Sequence, residues 1–450
     1  MIRFQQSFNR NRAYGHFFKD GTGITVRFKR QSRRLGKKNG FIGRQRKITG
    51  SNFVKTLLFG WLQNHSPSVE GLARAGYAHG LLVSAQGLDK RFNEKACGFM
   101  QSVLEEAVAQ VFVAEDLLDV NLLNRFTAVY VADCSTVPLP AVLAGVWQGS
   151  GGAGSGSEAG MKLDTRLELK TGALHFGLLP GRHSDSRSPV AEAAHEPGSL
   201  RLQDLGYFNL VRMKVQHGRG EFWLSRLQPR TCVLTADGQP IGLLALLKQG
   251  VTRQEMDVRV GAAEQLPARL LIWKLPEAAR AKRRAKMTAN ARDQGRTPTA
   301  ESLAGCDWNF LITNVGPEKL SLDECFVLYG VRWQIELLFK LWKTHAKLGQ
   351  SRSENPHRIL CEVYAKLLGV VVQHWIVLTG LWQIQERSLV KGCQMVREQS
   401  ARLAACINDL DALTDLLKEL AVRFHYGCSL NTRKTRPNTS QRFDMEDAFS

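Results

Sequence analysis

A chain of 450 residues exceeds one ordinary domain, and an apolar share of 44% is enough for a substantial core and too much for a disordered chain. Lys and Arg total 61 against 41 Asp and Glu, a formal net charge of +20, so the protein attracts polyanions, either nucleic acid or an anionic membrane. The nine cysteines form no Cys-x-x-Cys pair, which argues against a zinc finger or a disulfide framework and suits a reducing cytosol.

In chain order, the first residues contain no apolar run of the kind a secretory leader carries. Residues 1–50 read as a basic arm. No acid stands between Asp20 and Glu70, while Arg27, Lys29, Arg30, Arg33, Arg34, Lys37, Lys38, Arg44, Arg46 and Lys47 crowd together. Such a run is either a solvated, partly disordered tail or an arm that docks on phosphates. Residues 51–120 read as a helical DNA-binding domain. Phe53, Leu57, Leu58 and Trp61 recur at helical spacing, and Ser84 caps a predicted helix through Leu88, Phe92 and Cys97. That helix exposes Gln86, Asp89, Lys90 and Arg91. Following a turn at Gly80, it fits the second helix of a helix-turn-helix, and equally a small helical bundle.

Residues 121–209 turn to strands. Phe126 to Ala132 is a run of β-formers that ends at Asp133. Lys162 to Lys170 and Ala173 to Leu179 form a predicted hairpin through Thr171-Gly172. The stretch Gly149 to Ser157 is Gly/Ser-only apart from Ala153, a mobile loop by composition. Leu200 to Gln203 is a short strand ending at Asp204. Residues 210–305 read as a β-rich domain, with strands at Glu221 to Leu224, Thr231 to Thr235 and Ile241 to Leu247. Asp237-Gly238 is a hairpin signal between the last two. A basic stretch follows, with Arg280, Lys282, Arg283, Arg284, Lys286, Arg292 and Arg296. Residues 306–350 hold Trp308, a strand at Phe310 to Thr313 and the start of a long helical series. Residues 351–450 form a C-terminal helical region, with a polar, frayed tail from Asn431. The most apolar stretch, Leu367 to Trp382, is interrupted by Gln373 and His374 and reads as a buried helix rather than a membrane span.

The most informative segment runs from Tyr329 to Lys343. On a helix, Tyr329, Arg332, Glu336, Lys340 and Lys343 share one stripe, and Val331, Ile335, Leu338 and Trp342 share the other. Taken alone this is an amphipathic surface helix with ordinary ion pairs. A carboxylate among cations also suits a hard metal ion together with a phosphate backbone. Two further carboxylates, Asp133 and Asp204, stand at predicted strand ends, where they can converge, with Gly206 permitting close approach. Each alone fits a strand-end turn residue.

The spacing Tyr-x-x-Arg-x-x-x-Glu-x-x-x-x-x-x-Lys, met by Tyr329, Arg332, Glu336 and Lys343, resembles the signature of bacterial insertion-sequence transposases of family four. Asp204-Leu-Gly-Tyr-Phe208 and Asp133-Cys-Ser135 resemble that family's other acidic motifs. Phe310 to Val315 resembles the strand before its catalytic helix, and Gly40 to Gly50 its N-terminal region. The resemblance implies an α/β fold, an RNase H-like catalytic core interrupted by a β-strand-rich insertion with helical regions at both ends. It implies a DDE transposase in which Asp133, Asp204 and Glu336 are catalytic and hold two Mg²⁺ or Mn²⁺ ions. Tyr329, Arg332, Lys340 and Lys343 would contact DNA, and Trp308 would stack on a base flipped from the duplex, its structural alternative being a core tryptophan. The implied partners are double-stranded DNA with terminal inverted repeats, target DNA and a second copy of the chain in a synaptic homodimer, with the Leu403 to Leu420 helices as dimer surface. No membrane is implied, and the setting is cytoplasmic, at the nucleoid. The competing readings are an RNase H-like nuclease without strand transfer and a catalytically inactive sequence-specific DNA-binding protein.

Overall fold

The computed structural model describes residues 15–16, 32–43, 47–114, 117–151, 158–243, 247, 252–431 and 441. Arg27, Lys29, Arg30, Arg44, Arg46, the centre of the Gly/Ser stretch and most of the polar tail lie outside the described residues. The chain divides into two compact units. Of the described residues, one holds those in 15–120, 134–184 and 333–441, the other those in 121–133 and 185–332.

The first unit opens with a two-residue strand β1 (Gly15–His16), parallel to β2 (Phe112–Val113). Residues 32–38 form helix α1, with Arg33, Arg34, Lys37 and Lys38 exposed and Leu35 buried. This part of the basic run is therefore an amphipathic helix and not a loose tail. Phe41 follows it into the core, 4.7 Å from Phe53 and stacked 5.1 Å from Phe99. Four helices come next: α2 (Gly50–Gln63), α3 (Val69–Tyr77), α4 (Ala85–Asp89) and α5 (Glu94–Val108). Phe53, Leu57, Leu58 and Trp61 are buried, as their spacing predicts. Ser84 caps α4, accepting from the Gly87 amide at 3.1 Å. The predicted helix through Cys97 is instead two helices, because Asn93 caps a new start by accepting from the Ala96 amide.

Short helix α6 (Asn121–Asn124) precedes β3 (Val129–Leu139), which gives residues 129–133 to the second unit and 134–139 to the first. In the first unit follow β4 (Ala159–Glu168) and β5 (Leu174–Pro180), an antiparallel hairpin registered from Met161↔Pro180 to Leu167↔Leu174. Its turn needs Gly172, which has φ +71°, and a Cβ there would lie 2.4 Å from Leu378.

The second unit resumes with α7 (Pro189–Glu192), β6 (Leu200–Gln203), α8 (Leu210–Gly218), β7 (Phe222–Arg226) and β8 (Val233–Leu234). A tight turn at Gly238, φ +83°, follows β8, but the strand predicted next does not form: Leu243 and Leu247 are helical, and residues 244–246 lie outside the described set. The partners of β8 are β9 (Arg253–Val260) and then β10 (Leu266–Lys274), two strands the sequence reading did not single out. The basic stretch is a 17-residue helix, α9 (Glu277–Asp293), followed by α10 (Ala300–Gly305) and β11 (Trp308–Thr313). So residues 210–305 mix helices with strands. In this unit the strands lie in the order β3-β6-β7-β11-β10-β9-β8. A mixed α/β class is therefore what the chain adopts.

The unit ends on α11 (Leu322–Val331), and the chain returns to the first unit as α12 (Trp333–Lys340), a π-helical turn (Leu341–His345), α13 (Pro356–Leu378), α14 (Leu389–Glu398), α15 (Ser400–Cys406) and α16 (Leu410–Gly427). Helix α13 is long and apolar enough to cross a membrane, but it is buried against α5 and α2. Its charges Glu362 and Lys366 pair at 2.7 Å inside the protein. In the Leu403 to Leu420 helices, Leu403, Leu413, Leu416, Leu417 and Leu420 are buried within the chain.

Trp308 packs with Met213, Trp223, Leu270, Ile272 and Ile312 in the core of the second unit and is 8% exposed. A stacking role for its ring requires the ring to leave that core. Trp308→Ala should lower the unfolding free energy in urea by about 3–5 kcal/mol through the cavity it leaves. An unchanged unfolding curve would show that the ring contributes no packing.

Candidate active site

One register builds the site. β3 and β6 pair in parallel as Val129↔Leu200, Tyr130↔Arg201 and Val131↔Leu202. Two residues further along each strand stand Asp133 and Asp204. Continued by two residues, the register would put both on the face of Val131 and Leu202, about one strand spacing of ~4.8 Å apart. β7 extends the row. It pairs in parallel with β6 as Leu202↔Leu224 and Gln203↔Ser225, which sets Arg226 level with Asp204. Sequence reasoning did not single out Arg226; its only signal was a strand ending on a cation.

The two acids differ in backbone setting. The sequence placed Asp133 at the end of its strand, yet β3 runs on through it to Leu139. Thr136 and Val137 continue the β-forming pattern past the polar Asp-Cys-Ser, which is why the strand does not stop. Asp204 does follow directly on β6. It stands before a 3₁₀ turn (Leu205–Tyr207) with φ −87° and ψ 169°, and its side chain caps none of the turn's amides. A turn-forming aspartate would use its carboxylate on those amides. Gly206 packs close to Asp185: a Cβ there would lie 3.2 Å from its Oδ2.

The last turn of α11 supplies the neighbours of this row. The helix starts on a capping box between Ser321 and Glu324 and is held to β10 by Phe326, edge-on to Trp273 at 4.3 Å. Nη1 of Arg332 lies 3.6 Å from Oδ2 of Asp133. The same guanidinium is 5.9 Å from the Tyr329 ring centroid. Burial first, and then the Asp204 carboxylate, push the Tyr329 phenol above its ordinary range, with Arg332 and Arg226 opposing. At neutral pH the phenol therefore keeps its proton and acts as a donor. Its hydroxyl is buried beside the Arg332 guanidinium, which hydrogen-bonds it; a guanidinium only donates, so the phenol's own proton suits an incoming acceptor oxygen.

The segment from Tyr329 to Lys343 is not one regular helix. Arg332 separates α11 from α12, its amide reaching back to the Tyr329 carbonyl at 3.3 Å, a tightened turn. Lys343 lies in the π-helical turn, so the 100° projection that aligned it with Glu336 does not hold there. The apolar stripe does hold: Val331, Ile335, Leu338 and Trp342 are buried. In the first unit, Trp342 packs against Phe176 at 5.7 Å and Phe339 at 5.6 Å, fixing the helix that carries Glu336. Glu336 and Lys343 are half-buried and Lys340 is exposed.

The Asp133–Asp204 pair offers hard oxygen donors side by side, a set that fits a shared divalent cation. Among the described residues no group of three or more His, Cys, Asp or Glu is gathered to hold a metal. Asp133 and Asp204 would be two ligands of such a site.

Residues 124–371, which include every residue of this row and Glu336, match the family described as transposase DDE domain. The chain is similar to the transposase for insertion sequence element IS231F of Bacillus thuringiensis subsp. israelensis, 27% identical over 92% of this chain and 90% of that protein. It is also similar to the transposase for insertion sequence element IS1151 of Clostridium perfringens, 26% identical over 77% of this chain and 78% of that one.

The buried phenol gives a test that needs no substrate. Tyr329→Phe removes the acceptor that Arg332 meets, so it should lower stability by about 1 kcal/mol in urea unfolding. An unchanged or higher stability would mean that the hydroxyl makes no net bond to Arg332 in solution.

Proposed function

The chain belongs to the transposase DDE domain family, and from that premise we propose that Asp133, Asp204 and Glu336 act together as its metal-binding acids. In this reading the enzyme cuts DNA at terminal inverted repeats and joins the freed end to target DNA. What supports it is the parallel register of β3, β6 and β7, which stops just short of Asp133, Asp204 and Arg226, together with Arg332 at 3.6 Å from Asp133. Glu336 enters by its place in the signature, four residues after Arg332. An RNase H-like core, interrupted between β7 and β11 by β8, β9, β10 and α9, belongs to the same reading.

Two Mg²⁺ or Mn²⁺ ions bound by the acids would supply Lewis-acid activation of the attacking oxygen and stabilisation of the leaving oxygen. The chain's own groups do the rest. Arg332 and Arg226 grip phosphate oxygens and orient the scissile phosphate, since guanidinium groups match phosphate geometry. Tyr329 donates its retained proton as a hydrogen bond to a phosphate oxygen. Lys340 and Lys343 hold neighbouring phosphates as point charges. No side chain serves as nucleophile: water frees a 3′-hydroxyl, and that hydroxyl attacks the target. Two copies of the chain hold two element ends as a homodimer, in the cytoplasm where the bacterial chromosome lies. Transposition is favoured over plain cleavage because the named transposases match along most of the chain.

Incubation with Mg²⁺ and DNA carrying the matching terminal repeats should yield nicks and then hairpins or joined products. Asp133→Asn, Asp204→Asn and Glu336→Gln should each lower both steps roughly a thousandfold, the several kcal/mol a catalytic metal supplies. Repeat binding should stay near the parental level. Cleavage without joining would mark a nuclease, and binding without cleavage an inactive DNA-binding protein. An acid variant that cuts at the parental rate takes that residue out of the triad.

A further inference from the structure

Helix α9 is unusual for a helix of a folded unit, because none of its residues is buried. An ordinary surface helix turns an apolar stripe to the core. Here residues 278–292 hold six cations and no acid. Three arginines fasten one side of the helix to the chain entering β11. Arg283 donates to the Trp308 carbonyl at 3.1 Å and to Oδ1 of Asn309 at 2.7 Å. Arg284 and Arg280 both pair with Asp307. The remaining cations, Lys282, Lys286 and Arg292, are exposed. Lys282 and Lys286 stand one turn apart, a like-charge spacing that works against a helix and needs another use. Alanines at 278, 281, 285 and 289 surround them, so no bulky side chain keeps a rod-shaped polyanion at a distance.

Position adds a second observation. β11 runs antiparallel to β7, with Leu311 level with Arg226. Trp308 and Asn309, where α9 is anchored, therefore lie at the strand end that carries Asp204 and Asp133. β11 stands three strands from β3 in this unit, roughly 15 Å across the sheet. Duplex DNA bears one charge per about 1.7 Å of axis, so that span offers roughly nine phosphates.

We propose that α9 docks the phosphate backbone of duplex DNA alongside the acid pair, through Lys282, Lys286 and Arg292. The inference rests on the transposase reading for the identity of the polyanion. Its test uses the full chain, a random-sequence duplex and a salt titration. Each phosphate contact contributes about 0.9 to the slope of log affinity against log salt, so K282A/K286A/R292A should flatten the slope by up to about 2.7. Helix content should not fall, because alanine is the better helix former and no buried group is removed. K282R/K286R/R292K, which keeps the charges, should retain the parental slope. If the alanine variant lost helix signal, K282Q/K286Q/R292Q would be read against the charge-retaining variant in the same way. A parent that binds duplex with a steep slope, and a neutralised variant with the same slope, would overturn the inference while leaving the transposase reading in place. A parent that shows no salt-dependent duplex binding would remove both. Loss of binding to single-stranded RNA or an acidic polypeptide, with the duplex slope kept, would assign α9 to another partner and overturn it too.

Discussion

Two like charges placed side by side are the constraint to which the rest of the second unit answers. The parallel register of β3 and β6 stops at Val131 and Leu202, two residues before Asp133 and Asp204, and continued that far it would set the two acids about one strand spacing apart. Arg332 meets Asp133 directly, and β7 delivers Arg226 level with Asp204. Two acids and two guanidinium groups form a balanced set. The balance is conditional, however. In the proposed reading, a phosphate that drew the arginines toward itself would leave the acids without their counter-charge, and a divalent cation would restore it, so phosphate and metal would favour each other at this row.

The protonated phenol belongs to the same balance. An ionised Tyr329 would add a third negative charge beside Asp204, and burial already disfavours that form. A neutral donor is the state compatible with both acids and with an anionic ligand. In the first unit a different logic holds the helix of Glu336. There Ile335, Leu338, Phe339 and Trp342 are buried, and the residues after the π-helical turn are tied down by Lys366, whose ammonium donates to the carbonyls of Lys347 and Gln350. Packing sets the helix axis, and a buried charge sets where the chain leaves it.

How legible each part was follows from what kind of force specifies it. Strand β6, the hairpin through Gly172, the cap at Ser84 and the buried stripe from Val331 to Trp342 were readable because local chemistry decides them. Asp133 and Asp204 could be nominated from sequence, but their being level could not, since register is a property of two strands that lie far apart in the chain. Arg226 was missed for the same reason. The helix break at Arg332 and the π-helical turn at Leu341–His345 were missed because a 3.6-residue projection assumes the regularity that these turns interrupt. β9 and β10 escaped because polar residues alternate with or flank their apolar ones, as in Arg253-Gln-Glu-Met-Asp-Val-Arg-Val260, where only Val258 and Val260 are buried.

Helix α9 shows the limit of pattern reading most clearly. It has no apolar period because it buries nothing, and the usual signal for a helix is that period. What the sequence did contain was propensity: alanine, arginine and lysine dominate residues 278–292, with no glycine or proline among them. Helices held this way are cheap to alter and costly to leave unused. Guanidinium contacts at Asp307, Trp308 and Asn309 fix the axis at one side, and the exposed side contributes nothing to the core. A helix that buries none of its residues belongs to the low end of local stability. Neutralising its exposed side by salt or by a bound polyanion relieves the repulsion among its cations, so the helix is stabilised by the class of ligand its charge attracts.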